Sequence, residues 1–168
     1  IYTQPHLNGC RPDFVLLNPN VGIGVFEVKD WNLDAMTYKV SVDDHGRSNL
    51  TAKKERRSFP VRDPLAQVQH YKQEIFEIYC PRLAERAGFA AITAGVIFSY
   101  ADEERIRELL APLPSSSKGH PQYETICGSI AIQTKDVRRI FPEASRRSSK
   151  IMNEDFARDI RSWLVEPE

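Results

Sequence analysis

Three charged residues stand where charge is costly, inside or at the edge of apolar stretches. Asp13 opens the run Asp13-Phe14-Val15-Leu16-Leu17, and Glu27 and Lys29 close the run Ile23-Gly24-Val25-Phe26-Glu27-Val28-Lys29. If both runs are strands, alternation puts Glu27 and Lys29 on one face and Val28 on the other. A hairpin centred on Asn20 sets Leu17 against Ile23, Val15 against Val25 and Asp13 against Glu27. Directly opposed side chains lie about 4.5–5.5 Å apart at Cβ, and like charges there repel. A divalent cation removes that penalty. Asp13 and Glu27, with the Val28 carbonyl as a further candidate, offer hard oxygen ligands of the kind magnesium prefers, and leave positions for water and a phosphate oxygen. Lys29, on the same face, can orient or deprotonate the attacking water and stabilise charge building on the phosphate. On this reading, removing either carboxylate costs the metal-free fold nothing. An Asp followed at a distance by acid-x-Lys is common as a bare pattern; its setting in apolar strands singles it out.

Those strands need a scaffold. Asp13–Leu17 and Ile23–Lys29 read as strands joined by turn residues Asn18 to Gly22, and Ile1–Leu7 as a further strand before them. A polar hairpin follows, Thr37–Val42 and Asn49–Lys54, turning through Asp43-Asp44-His45-Gly46. Asp63 is placed to cap a helix that begins at Pro64, with Leu65, Val68, Tyr71, Ile75 and Ile78 as its apolar stripe. Pro81 interrupts that helix, and a short continuation ends at Gly88. Ile92–Ser99 reads as a buried strand and Glu103–Leu110 as a helix. Pro112–Pro121 reads as a loop, Ile126–Ile132 as a strand, and Lys135–Phe141 as a short helix. A last helix, capped by Asn153, carries Phe156, Ile160, Trp163 and Leu164. The order predicts an α/β fold, a mixed central sheet flanked by helices.

The bulk numbers set limits. A chain of 168 residues, 41% hydrophobic and 27% charged, can bury a core and has the composition of an ordinary globular domain. No apolar run reaches the roughly 20 residues of a membrane helix. Cys10, Cys80 and Cys127 are odd in number and far apart, which points away from a disulfide framework and towards a reducing, cytoplasmic setting. The charge balances, 23 basic against 23 acidic residues. It is nonetheless unevenly spread: Lys53, Lys54, Arg56 and Arg57 form one basic run, and Arg138, Arg139, Arg146, Arg147 and Lys150 a second stretch. Each is either a solvated surface or a place for phosphates. No glycine-rich phosphate loop, nucleophile elbow or dinucleotide fingerprint supports a small-molecule enzyme of another α/β type.

Pro12-Asp13 followed by Glu27-Val28-Lys29 resembles the PD-(D/E)XK nuclease motif. Gln67-Val68-Gln69-His70-Tyr71 is similar to the Q-x-x-x-Y helix motif of the recombination-exonuclease branch of that superfamily. Phe26-Glu27-Val28-Lys29-Asp30-Trp31, a divergent segment and then Asp63-Pro64-Leu65-Ala66-Gln67-Val68 resemble the NERD (nuclease-related) domain, which often precedes a superfamily-1 helicase. The resemblance covers about residues 5–100. It implies a restriction-endonuclease-like core, magnesium or manganese dependence and DNA as substrate, in repair, recombination or defence. It implies Asp13 and Glu27 as metal ligands, Lys29 as the water-activating lysine, and Gln67 and Tyr71 as substrate-positioning residues. DNA affinity should be weak and salt-dependent, carried by Lys53, Lys54, Arg56 and Arg57. Such nucleases usually open with a helix bearing a further acid, and no such pattern precedes Asp13. The expectation is one nuclease domain over residues 1–168, its core about 1–100 and a mixed α/β extension about 101–168, cut from a longer polypeptide that includes a helicase.

The competing expectation is a nuclease-like module without catalysis that docks DNA or a partner protein. His6, His45, His70 and His120 show no metal-ligand spacing, although His70 lies on the motif helix and can be drawn against a phosphate. Trp31 suits either core packing or stacking on a base.

Overall fold

The computed structural model describes residues 1–79, 91–118, 123–142 and 152–164. At its centre is the hairpin of β2 (Phe14–Asn18) and β3 (Gly22–Lys29), antiparallel, with Leu17 against Ile23, Val15 against Val25 and Phe14 against Phe26. The Asn18 side chain fixes the turn by accepting from Asn20 N at 2.9 Å. The expected register therefore holds along the ladder.

On its other edge β3 runs parallel to β7 (Ile92–Phe98), which in turn runs parallel to β8 (Glu124–Cys127). β1 is only Tyr2–Thr3, and the sheet order is β1-β2-β3-β7-β8. This is the expected α/β class with a mixed central sheet. All seven residues of β7 are buried, as a parallel strand covered on both faces requires. Ile1–Leu7 does not form one strand, because Gln4 (φ 46°), Asn8 (φ 44°) and Gly9 (φ 80°) bend the chain out of extension.

The two sheet faces carry different cores. Val15, Ile23 and Val25 meet Leu65, Val68 and Tyr71 of α1 (Pro64–Glu74), which Asp63 caps through Leu65 N at 2.9 Å and Ala66 N at 3.1 Å. α2 (Glu103–Leu110) and α6 (Glu154–Trp163, capped by Asn153 at 3.0 Å) add Ile106, Leu110, Phe156 and Ile160 to this layer. A single π-turn, Ile75–Tyr79, continues α1; the expected break at Pro81 and stop at Gly88 lie outside the described residues. The opposite face holds Phe26, Ile97, Cys127, Ala131 and Phe141. There Phe26 lies so close over Gly24 and Gly95 that a Cβ at either would fall within 2.5–2.8 Å of its ring.

Beyond β7 the expected elements shift. The loop over 112–121 contains a five-residue helix, α3 (Pro114–Lys118). The strand expected over 126–132 ends at Cys127, and α4 (Ser129–Gln133) follows. Gly128 docks there against the start of α2, with Ser129 N donating to Ala101 O at 2.9 Å, so the chain turns where local propensity favoured extension. α5 is Val137–Ile140, since Lys135 takes φ 54° and cannot open the helix.

A second sheet joins β4 (Thr37–Val42), β5 (Ser48–Lys54) and an unexpected β6 (Arg57–Pro60) in antiparallel order. Trp31 fastens it to the core by stacking on Tyr38 at 4.4 Å and tilting against Phe98 at 5.2 Å. Trp31 is thus a packing residue and is buried. Among the described residues no helix is long and apolar enough to cross a membrane.

Candidate active site

The β2–β3 ladder stops at Phe14↔Phe26. Its register would next set Asp13 against Glu27 and then Pro12 against Val28. Pro12 has no N–H to give, so the backbone ladder cannot continue in full. The Asp13 carboxylate takes over: Oδ2 accepts from Val28 N at 2.7 Å. A strand residue points its N–H and C=O to the same edge, so the Val28 carbonyl faces this gap as well. Asp13 Oδ1 makes no hydrogen bond with a described residue.

Glu27 and Lys29 share the sheet face on which α1 packs, as alternation demands. Lys29 Nζ lies 2.7 Å from Glu27 Oε1 and 3.2 Å from Gln67 Oε1. Gln67 Nε2 donates to the Tyr71 hydroxyl at 2.5 Å, and that hydroxyl donates to Glu27 Oε2 at 3.1 Å. The four residues close a ring in which each donor meets an acceptor, spanning β3 and one face of α1. Glu27 and Gln67 are each 8% exposed and Tyr71 is 3% exposed. Burial, with Glu27 beside it, pushes the Tyr71 hydroxyl up to about 12 against the Gln67 amide, so it is a proton donor at neutral pH.

The geometry corrects two expectations. The carboxylates are not an unrelieved like-charge pair, because Asp13 is held by a backbone N–H and Glu27 by Lys29 and Tyr71. Gln67 and Tyr71 do not reach outward to a substrate; they are buried and spend their polar atoms on Glu27 and Lys29. The sequence signal for this was present in the four-residue spacing that places Gln67 beside Tyr71.

Other expected residues lie apart from the ring. Lys53, Lys54, Arg56 and Arg57 are exposed at the β5–β6 turn, in the second sheet. His6, His45 and His70 are exposed, His70 with Nδ1 3.9 Å from Glu74. Arg139 pairs with Glu103 at 3.3 Å, while Arg146, Arg147, Lys150, His120 and Cys80 lie outside the described residues. Cys10 and Cys127 are free and buried. Sequence reasoning overlooked Lys72, wholly buried on α1, with Nζ 3.7 Å from Glu124 and 5.3 Å from the Tyr123 ring centroid; burial lowers its pKa.

Among the described residues no cluster of three or more Asp, Glu, His or Cys converges. The oxygens near the end of β3 are those of the Glu27 carboxylate, the Asp13 carboxylate bonded to Val28 N, and the Val28 carbonyl. Such a set is not the tetrahedral nitrogen and sulfur set of structural zinc. It fits magnesium or manganese, hard cations commonly held by one or two carboxylates with water completing the shell. Comparison with family models, curated proteins and solved structures returned no match for this chain.

Proposed function

We propose that this chain is a metal-dependent nuclease domain that hydrolyses phosphodiester bonds of DNA. The observation that carries the reading is that Asp13 is bonded to Val28 N, between Glu27 and Lys29 on β3, while Lys29 is pinned from two sides by Glu27 and Gln67. The resemblance to the PD-(D/E)XK nucleases of NERD type adds DNA as substrate, a restriction-endonuclease-like core and a linked helicase in the cytoplasm.

Asp13, Glu27 and the Val28 carbonyl would hold magnesium or manganese. When bound, the ion neutralises phosphate charge and makes water more acidic. Lys29 carries three N–H donors, two of which are engaged by Glu27 Oε1 and Gln67 Oε1. The third is left for the attacking water or a phosphate oxygen. Because the ring fixes Nζ, that donor points in one direction without a further loss of side-chain freedom. Tyr71 and Gln67 act as positioning residues: they hold Glu27 and Lys29 and touch no reacting atom.

The test is digestion of plasmid and end-labelled oligonucleotides with and without magnesium, using the wild type and Lys29→Ala. Cleavage that needs the metal and vanishes in Lys29→Ala supports the reading. A wild type that binds DNA and never cuts it identifies a docking module instead.

A further inference from the structure

The small second sheet separates charge in a way its fold does not need. Residues 37–60 hold six basic and three acidic residues, a net +3 in a chain whose total is zero. Paired residues share a face, so Thr37, Lys39, Ser41, Asn49, Thr51, Lys53 and Ser58 all lie on one side. That side contains hydroxyls, an amide and two ammonium groups, and no carboxylate. The other side sends Tyr38, Val40, Leu50 and Ala52 to the core.

Both acids of the β4–β5 turn, Asp43 and Asp44, sit at one end of the sheet. The basic cluster sits at the other, around the single acid Glu55, where Lys54 and Arg57 are directly paired across β5 and β6 on the side of the sheet opposite Lys53. Like charges in direct opposition destabilise a hairpin, and Arg56 beside them adds to the penalty. The side chains of Lys39, Lys53, Lys54, Arg56 and Arg57 make no ion pair or hydrogen bond with a described residue. A fold that needed these charges for itself would neutralise them.

The basic end is also the end tied to the candidate active site. Lys53 pairs with Thr37, next to Tyr38; Tyr38 stacks on Trp31, and Trp31 stands two residues beyond Lys29. The acidic turn lies a strand's length away, about 20 Å at 3.3 Å per residue.

We infer that Lys39, Lys53, Lys54, Arg56 and Arg57 form a binding track for the phosphodiester backbone of DNA, leading it towards Lys29. The inference rests on the proposed nuclease reading for its choice of polyanion, and stands on charge placement for the surface. An array of cations with hydroxyl and amide donors beside it is the chemistry that holds phosphates in register without reading bases.

The experiment measures anisotropy of a fluorescein-labelled DNA duplex in EDTA, where cutting plays no part, over a range of salt. It compares the full chain with a variant carrying Gln at all five positions and with Arg158→Gln, an exposed arginine of α6 outside the second sheet. The five-fold variant should lose affinity by tenfold or more and flatten the log–log salt slope by about 4.5 units, roughly 0.9 for each phosphate left without its cation. Arg158→Gln should bind as the wild type does. Thermal melting of the five-fold variant should be no lower than wild type, because a like-charge pair has gone. Unchanged affinity and slope would overturn the track while leaving metal-dependent cutting, and so the nuclease reading, untouched. Duplex binding lost with the five residues in a protein that never cuts would sustain the track and sink the nuclease reading. Preference for phosphatidylserine vesicles over duplex would overturn it in favour of a membrane surface.

Discussion

Glu27→Ala in the metal-free protein separates two accounts of the site. If the carboxylates chiefly repel each other, the variant is as stable as wild type or more so. The structure gives the opposite sign. Glu27 and Lys29 have side chains only 10% and 19% exposed and meet at 2.7 Å, and Tyr71 donates to the other carboxylate oxygen. Removing one partner of a well-buried pair costs about 3–5 kcal/mol because the survivor keeps its charge without compensation. Lys29 is not fully buried and retains Gln67, so the cost falls towards the low end, about 3 kcal/mol including the lost Tyr71 hydrogen bond. For a chain of this size that is a fall of roughly 6–12 °C in Tm. The assay is thermal and urea unfolding in EDTA. Glu27→Ala/Lys29→Ala should recover part of the loss, with a coupling of about 1 kcal/mol or more, since no orphan charge remains. A Glu27→Ala protein that melts at or above the wild-type temperature would refute the ring and restore the repulsion account.

Magnesium should raise the wild-type Tm, by about 2.7 kcal/mol of stability at a concentration a hundred times its Kd, and calorimetry should find no such rise in Asp13→Ala or Glu27→Ala. Tyr71→Phe should cut kcat more than KM, measured by steady-state cleavage, because it loosens Glu27 without touching substrate. The Tyr71 hydroxyl titrates near 12 in the fold against about 10 when unfolded, so its stabilisation is whole below pH 10 and is lost as pH climbs towards 12. Wild type should therefore lose its stability margin over Tyr71→Phe across that window in alkaline melts. Pro12→Ala supplies an N–H opposite the Val28 carbonyl and should raise the magnesium concentration needed for half-maximal cleavage; unchanged dependence would remove that carbonyl from the ligand set.

What was legible in the sequence follows from how local the governing physics is. The β2–β3 register could be read because turn residues Asn18 to Gly22 separate two apolar runs and centre the hairpin on Asn20, and Asn18 holds that turn. The starts of α1, α2 and α6 are set by Asp63, Asp102 and Asn153, each with its own side chain on the first free N–H groups. Gln67 was misplaced because an apolar stripe counts only apolar residues. A buried amide belongs to the core face when a polar partner on a neighbouring strand awaits it, and that partner, Lys29, is far off in sequence. β6 escaped because Arg57-Ser58-Phe59-Pro60 is exposed along its length and has no alternation to betray it. Ile126–Ile132 carries β-branched residues that favour extension, and the docking of Gly128 on α2, a tertiary interaction, overrides them.

The candidate site exists because a ladder is interrupted at a chosen residue. Had β2 continued two pairs further as backbone, to a residue opposite Val28, Val28 would have both its polar groups satisfied by the strand opposite, and the Asp13 side chain would stand beside Glu27 with no tie of its own. Pro12 forbids that outcome by withholding a donor, and it does so while buried, so the strand end is fixed rather than frayed. The Asp13 carboxylate then answers the Val28 N–H and brings its second oxygen to the same edge as the Val28 carbonyl. On the far side of the strand direction, Lys29 O is held by Ser99 N at 2.9 Å, which stiffens β3 where its last side chain must be aimed. Oxygen donors gather on the open edge, and the lysine is clamped on the helix-covered face. On the proposed nuclease reading, the proline that reads as a strand breaker is the residue that leaves this edge open to a cation and a water.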